Sequence, residues 1–170
     1  MRDLTSNWLP VPAWDDVSLN RSDLTARTVT LPSQHLVSGN LTAFSAKAGL
    51  PDNGAGAFQE VSGDHYALRV ARDRILVVGG PAEELGPGWH PDGYAATDVS
   101  ASFHVFEFSG TGIEALLQEA MFVDPNIQSA SASTMFAGQA AFVYYHQGKL
   151  RVHVERGFAP FIWQWLEARD

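Results

Sequence analysis

The residues best suited to acid–base or metal chemistry are six histidines, since the sequence contains no cysteine. They are widely spaced, and no two fall at the H-x-H, H-x3-H or H-E-x-x-H separation of a zinc site. His104 lies inside an apolar run, where a hydrogen-bonded core histidine is expected rather than a catalytic base. The lack of cysteine also excludes thiolate metal sites, thiol nucleophiles and iron–sulfur clusters. We therefore predict no metal on this chain.

Motifs for nucleophilic and nucleotide chemistry are also missing from the sequence. No G-x-S-x-G elbow presents a serine nucleophile, and no G-x-G-x-x-G follows a predicted strand. The net charge of −8 opposes binding to a phosphate backbone, and no cluster of lysine and arginine offsets it. We therefore expect no catalytic residue, no dinucleotide on this chain and no nucleic-acid partner.

Residues 1–23 are expected to form a docking segment rather than a targeting signal. They are rich in Pro, Asp, Asn and Ser, but they also carry Trp8 and Trp14. Two tryptophans in a polar segment are expected to pack on the domain itself or on a partner. The segment lacks the apolar region of a signal peptide, and no run of the sequence reaches the length of a membrane span. We expect a soluble, cytoplasmic protein with no membrane partner.

The strongest local pattern predicts a β-hairpin near the C-terminus. Apolar and polar residues alternate from Leu150 to Glu155, and Gln147-Gly148 suits a two-residue turn. In that register one face of the hairpin is core. The cross-strand pairs on the other face are Tyr144 with Arg151 and Phe142 with His153. This second face has the aromatic and arginine content typical of a protein interface, so we predict these four residues as interface candidates.

Three helices are predicted around these strands. The first spans Asn40–Ala48 and ends at a glycine, and the second follows a T-x-x-E capping box formed by Thr111 and Glu114. The third spans Phe158–Arg169, with Pro160 in its first turn. Its apolar stripe is predicted to face a sheet and consists of Phe158, Phe161, Ile162, Trp165 and Leu166. Trp163 lies at the margin of this stripe and is a further interface candidate.

Two halves of the sequence have the same order of elements. Ser38-Gly39 precedes the first helix, and Ser109-Gly110 precedes the second helix 71 residues later. We predict a single α+β domain at 24–170 with antiparallel-rich sheets and helices packed on them. Its halves would be 24–80 and 94–170, related by duplication and joined by a connector at 81–93.

From Leu31 to the C-terminus, several segments follow the order and spacing of a known family. They are Val37-Ser38-Gly39, Ala48–Asn53, Leu68-Arg69-Val70, Arg74–Val78, Thr97–Ser100, Phe106–Gly110, Glu114–Leu117 and Phe158–Ala168. The most specific are Asp98-Val99-Ser100 with Ser109-Gly110, and the aromatic terminal helix. In these segments the chain resembles the gamma subunit of heterotetrameric sarcosine oxidase.

The resemblance implies an internally duplicated, aminomethyltransferase-like fold, which is the folate-binding fold of glycine-cleavage T-proteins. It also implies a small, non-catalytic subunit of an oxidoreductase complex, beside larger alpha and beta flavoprotein subunits and a small delta-type subunit. No cofactor is expected on this chain, and FAD, FMN, NAD and tetrahydrofolate would lie on the partner subunits. The complex would demethylate sarcosine oxidatively and pass the one-carbon unit to tetrahydrofolate.

The resemblance carries over no catalytic residue, because the paired-aspartate segment of the aminomethyltransferases is missing here. By analogy with acids in T-protein-like pockets, Asp98 is a candidate folate contact. Its other expected role is in a turn before the next strand. Two alternatives to the subunit role remain: a stand-alone folate-binding one-carbon protein that uses a cavity between the halves, and a homodimer of the same fold without activity.

Overall fold

The computed structural model describes residues 12–14, 17–51, 53–80 and 86–169, which form twelve strands and three α-helices. The strands are β1 (Ser18–Asn20), β2 (Thr25–Thr28), β3 (Gln34–Gly39), β4 (Glu60–Val61), β5 (Tyr66–Ala71), β6 (Arg74–Val78), β7 (Gly88–His90), β8 (Tyr94–Asp98), β9 (Phe103–Ser109), β10 (Ser133–Phe136), β11 (Gln139–His146) and β12 (Lys149–Glu155). The helices are α1 (Leu41–Ala48), α2 (Ile113–Ala120) and α3 (Ala159–Ala168), and a 3-10 turn at Arg156–Phe158 leads into α3. None of the described helices has the length and apolar character needed to cross a membrane.

The strands are divided between a large sheet and a small sheet. The large sheet has the order β1-β2-β9-β12-β11-β10, with β4 added parallel to β11. The small sheet has the order β5-β6-β3-β8-β7. Neighbouring strands along both orders are antiparallel, so the predicted α+β class with antiparallel-rich sheets is confirmed.

Each sheet has one face on helices and the other on its partner sheet. Helices α2 and α3 cover the large sheet, where Phe106, Phe108 and Val152 are fully buried. Helix α1 covers the small sheet through Phe44. The two remaining faces meet in a third apolar cluster that contains Leu68 of β5 and Tyr144 of β11. The result is a helix–sheet–sheet–helix arrangement in which the apolar cluster between the sheets is covered by a sheet on each side.

The predicted hairpin is formed in the predicted register. Tyr144 lies opposite Arg151, and Phe142 lies opposite His153. Gln147 and Gly148 both have positive φ, at 50° and 75°, as a type I′ turn requires. Local turn chemistry therefore determined the pairing of β11 with β12.

The first two helices begin in different ways. The Asn40 side chain accepts a hydrogen bond from the Ala43 N–H at 3.2 Å, and α1 ends at Gly49 with φ 66°, as the sequence indicates. The capping box predicted before α2 is wrong, since no side chain among the described residues caps that helix. The chain enters α2 instead through Gly112, whose N–H donates to the Asp23 carbonyl at 2.9 Å. This backbone hydrogen bond to the loop between β1 and β2 thus takes the place of the threonine cap.

Helix α3 buries a face that agrees with the predicted stripe at Ile162 and Leu166 only. Its buried residues are Ala159, Ile162, Trp163 and Leu166. Phe158 and Phe161 are 43% and 45% exposed, so their assignment to the core is wrong. The reason lies in the sheet below, where the Trp163 ring stacks on Phe106 with centroids 6.1 Å apart. That contact rotates the helix and turns both phenylalanines outward.

The described part of the N-terminal segment packs on the large sheet of its own chain. The Trp14 ring lies 4.3 Å from the His104 ring, and the Trp14 carbonyl accepts a hydrogen bond from the Thr28 hydroxyl. Trp8 lies outside the described residues, as do residues 81–85 of the predicted connector. Trp14 is therefore half-buried by intramolecular contacts.

A buried charge and tyrosine network as the candidate functional site

Glu107 is the buried centre of an ion cluster on the large sheet. The pairing of β9 with its neighbours places Arg27 on one side of Glu107 and Arg151 on the other. Oε1 of Glu107 accepts hydrogen bonds from Arg27 Nε at 2.9 Å and Lys149 Nζ at 3.1 Å. Oε2 accepts from Arg151 Nε at 3.0 Å. Only 3% of the Glu107 side chain is exposed, so three cations enclose one carboxylate.

The protonation state of Glu107 is fixed by these partners. Burial by itself raises the pKa of the carboxyl, but the hydrogen bonds from Arg27, Lys149 and Arg151 outweigh it and lower the pKa to about 2. The carboxylate is therefore ionised throughout the physiological pH range. A base with so low a pKa is poorly matched to proton transfer near neutral pH.

A chain of hydrogen bonds runs from this ion cluster into the space between the sheets. Arg151 Nη1 lies 3.3 Å from the Tyr66 hydroxyl, which lies 2.8 Å from the Tyr144 hydroxyl. The Tyr144 hydroxyl in turn lies 2.8 Å from His153 Nε2. A guanidinium only donates, so both hydroxyl protons are used in one arrangement alone: Tyr66 donates to Tyr144, and Tyr144 donates to His153. The proton of the neutral imidazole then lies on Nδ1, which has no partner among the described residues.

The remaining titratable groups of the network are held neutral. Burial is the main cause that raises the pKa of Tyr66 and that of Tyr144. Burial, followed by repulsion from the Arg151 guanidinium, lowers the pKa of His153 to about 3. At neutral pH the network therefore holds two phenols and a neutral imidazole. Its chemistry favours structural cohesion over proton transfer.

The hairpin residues predicted as a partner interface lie inside the chain. Tyr144, Arg151 and His153 are brought together as predicted, but the small sheet covers them and they are buried. Phe142 is half-buried beside Phe103, with ring centroids 5.2 Å apart. The face is thus a contact between the two sheets, and the expectation that it is offered at the surface is corrected.

The interface candidate Trp163 is also an interior residue. It is buried between α3 and the large sheet, and its Nε1 donates to Glu167 Oε1 at 2.8 Å. A tryptophan whose ring is stacked on Phe106 and whose N–H is satisfied has no group left to offer a partner. Its predicted place at the margin of the apolar stripe is therefore corrected as well.

Asp98 lies at the exposed end of β8 and organises a turn. Its Oδ1 accepts hydrogen bonds from the Ser100 N–H at 2.9 Å and from the Ser100 hydroxyl at 2.6 Å. These two hydrogen bonds lower the pKa of the Asp98 carboxyl. The Ser100 hydroxyl oxygen also accepts from the Gln34 N–H at 2.9 Å. Asp98 thus fixes the passage of the chain from the small sheet to the large sheet.

The described residues also line an open pocket to which both polar and apolar side chains contribute. Its volume is about 400 Å³, and it is lined by Asn53, Gly54, Gln59, Arg69, Ala71, Arg72, Ala130 and Ser131. Asp98 does not line this pocket. Among the described residues, no group of three or more histidines and acids is close enough to hold a metal ion.

No family model matches the chain, and no curated protein matches it by sequence. Among solved structures, the chain is similar to one chain of "Heterotetrameric Sarcosine Oxidase from Corynebacterium sp. U-96 in complex with pyrrole 2-carboxylate", with a TM-score of 0.65. The fold is related to that of sarcosine oxidase. The sarcosine oxidase match covers 84% of this chain and 81% of that chain at 20% sequence identity. The two chains are therefore of similar length and share their fold over most of it.

The sequence interpretation missed the centre of the network. The sequence does mark Glu107 as a candidate buried carboxylate, because it is the one acidic residue inside the apolar run Phe103–Phe108. A carboxylate in a strand buried on both faces needs cationic partners from the neighbouring strands. Lys149 and Arg151 were visible on β12, but Arg27 and Tyr66 required knowledge of which strands are neighbours in space.

Proposed function

We propose that this chain is a non-catalytic, gamma-type subunit of a multisubunit sarcosine-oxidase-like flavoenzyme. The observation that carries the proposal is the fold, which is similar over 84% of the chain to a chain of a heterotetrameric sarcosine oxidase. The sequence segments from Leu31 to the C-terminus resemble the gamma subunit family independently of that comparison. In such an assembly the role of this chain would be structural.

The buried network supports a role without catalysis. Glu107 is held ionised, whereas His153 and both tyrosines are held neutral. None of these groups has a pKa near neutrality, and general acid–base catalysis works best with a group that does. The network instead links the sheets through a charge-assisted hydrogen bond from Arg151 to Tyr66 and a neutral one between Tyr66 and Tyr144, which suits a rigid subunit that positions other chains.

On this proposal the redox and one-carbon chemistry belongs to other subunits. FAD, FMN, NAD and tetrahydrofolate would be held by larger alpha and beta chains, and a small delta-type chain would complete the assembly. The complex would oxidatively demethylate sarcosine and pass the one-carbon unit to tetrahydrofolate. The isolated chain is accordingly expected to bind neither flavin nor tetrahydrofolate.

We also infer that the chain arose by internal duplication. The order β5-β6-β3-β8-β7 of the small sheet parallels β11-β12-β9-β2-β1 in the large sheet. In both sheets a glycine with positive φ lies at the end of the central strand or directly after it, Gly39 at 103° in β3 and Gly110 at 118° after β9, and a helix follows. A side chain on either glycine would meet a backbone carbonyl, that of Gly93 or that of Asp23. These equivalent positions support a fold whose two halves are related by a pseudo-two-fold axis.

The subunit role is tested by producing the larger oxidase chains of the native host with and without this chain. With it, we expect a single assembly that contains flavin and oxidises sarcosine; without it, the larger chains should fail to assemble or lose stability. Purified alone, this chain should be colourless. Stoichiometric flavin and sarcosine oxidation by the chain alone would refute the proposal.

A separate titration distinguishes the alternative of a stand-alone folate-binding protein. Tetrahydrofolate is added to the isolated chain and to Asp98→Ala, and binding is measured by calorimetry. The subunit proposal predicts no binding to either protein. Micromolar binding that Asp98→Ala abolishes would favour the alternative.

A further inference from the structure

The ion cluster around Glu107 carries an excess of positive charge. One carboxylate is paired with Arg27, Lys149 and Arg151, and the neighbouring tyrosines and His153 are neutral, so the cluster has a net charge of +2. The whole chain has a net charge of −8, which makes this concentration of cations unusual within it. Glu107 alone does not account for three cations.

Two of these cations reach solvent and have donors to spare. The Arg27 side chain is 52% exposed and that of Lys149 is 44% exposed. Arg27 uses Nε and Nη2 on Glu107, and its Nη1 has no partner among the described residues. Lys149 donates one hydrogen bond of the three that an ammonium can make, again within the described part of the chain.

The buried carboxylate also fixes the positions of both cations. Arg27 and Lys149 bond to the same atom, Glu107 Oε1, at 2.9 and 3.1 Å from Nε and Nζ. Arg27 Nε and Lys149 Nζ therefore lie at most about 6 Å apart, on the two sides of one carboxylate oxygen. Because Glu107 already orders these long side chains, an anion that binds them costs less conformational entropy than it would at two free surface residues.

We propose that Arg27 and Lys149 form a binding site for a phosphate group on the solvent side of Glu107. A phosphate dianion matches the charge of +2 and presents several oxygens, so it can accept from Arg27 Nη1 and from Lys149 Nζ at the same time. Arg151 lies behind Glu107 and adds to the positive potential without touching the ligand. The group is either free phosphate or the phosphate of an ester, since the two share this chemistry.

The site is tested by titrating inorganic phosphate into the full chain at about pH 8, where phosphate is mainly a dianion. Chloride keeps the ionic strength constant, and binding is followed by calorimetry and by the arginine Nε–H resonances. We expect Arg27→Gln and Lys149→Gln to weaken binding by roughly tenfold or more, the effect of losing one charge-assisted hydrogen bond. Lys149→Arg keeps the charge and should keep the binding.

Arg74→Gln is the matched control, because Arg74 is an exposed arginine at the start of β6 and its loss changes the net charge equally. It should bind phosphate like the wild type. A parallel titration with phenyl phosphate distinguishes free phosphate from a phosphate ester, since the site should bind its own ligand type more tightly. The proposal is overturned if phosphate has no effect beyond that of chloride, or if Arg74→Gln weakens binding as much as Lys149→Gln.

Discussion

The hydroxyl groups of Tyr66 and Tyr144 lie 2.8 Å apart and join the small sheet to the large sheet by a buried hydrogen bond. On one side the pair continues to Arg151 and Glu107, and on the other side to His153. The apolar surfaces of two sheets can slide against each other, whereas directional hydrogen bonds fix one relative position. The tyrosine pair therefore specifies how the two sheets are placed.

Tyr144→Phe is expected to lower the free energy of unfolding by about 1–3 kcal/mol, because it leaves the buried Tyr66 hydroxyl and His153 Nε2 without their shared partner. Urea denaturation measures the change. Tyr145→Phe is the control, since Tyr145 is the next residue and its hydroxyl makes no hydrogen bond within the described structure. Equal losses in the two variants would show that the network adds nothing to stability.

Glu107→Gln is expected to destabilise the chain by about 3–5 kcal/mol at neutral pH, because it leaves Arg151 buried without its counter-ion. The pKa of Glu107 is lowered from 4.5 to about 2, so its stabilising contribution is complete above pH 4.5 and is lost as the pH falls towards 2. The stability difference between wild type and variant should therefore shrink over that range in acid. A difference that stays constant with pH would contradict this assignment.

His153 is expected to remain neutral in the folded chain at pH 5. Burial and the Arg151 charge lower its pKa from 6.5 to about 3, so the folded state loses stability relative to the unfolded state as the pH falls below 6.5. Its imidazole ¹⁵N shifts, followed by NMR, should stay at their neutral values to pH 5 in the native chain. In urea the same resonance should titrate near its ordinary pKa. Native titration near 6.5 would rule out the buried position.

Ile162→Ala and Phe161→Ala test which face of α3 is core. Ile162 is fully buried, so its truncation should cost about 2–5 kcal/mol in unfolding free energy. Phe161 is 45% exposed, and the loss of its side chain should cost much less. Thermal denaturation of both variants shows which substitution causes the larger loss of stability. A loss at Phe161 as large as the loss at Ile162 would restore the stripe predicted from the sequence, which contains both residues.

Gly110→Ala should be markedly more destabilising than Gly138→Ala. Both glycines have positive φ, at 118° and 78°, so both substitutions strain the backbone. At Gly110 a Cβ would also lie 2.1 Å from the Asp23 carbonyl oxygen, whereas at Gly138 no atom of the described residues lies within 4 Å. Chemical denaturation gives the free energy of unfolding of both variants, and the difference between them isolates the steric clash at Gly110. Similar losses of stability in the two variants would argue against the close contact before α2.

The elements that the sequence predicted well are those fixed by neighbouring residues. The turn at Gln147-Gly148 determines the β11–β12 register by itself, and Asn40 with Gly49 marks both ends of α1. In each case the decisive interaction is formed within a few residues of the chain. Such patterns can be interpreted without knowing what packs on them.

The errors concern faces whose cover comes from distant parts of the chain. Tyr144 and Arg151 have the chemistry of an interface, and they do form one, but with the small sheet of the same chain. Helix α3 offers two overlapping apolar stripes, and the stacking of Trp163 on Phe106 selects between them. The pairing of Arg27 with Glu107 joins residues 80 positions apart, so no local pattern reveals it. The local sequence pattern therefore does not determine which distant segment buries a given face.

The central claim is the subunit role, and affinity capture of the tagged full chain from its native host tests it most directly. The purified material is examined by mass spectrometry for the partner chains and by absorbance for flavin. We expect larger sarcosine-oxidase-like chains in fixed ratio to this chain, together with a flavin spectrum. A chain that is recovered alone and colourless, while the host's sarcosine oxidase is intact without it, would contradict the account.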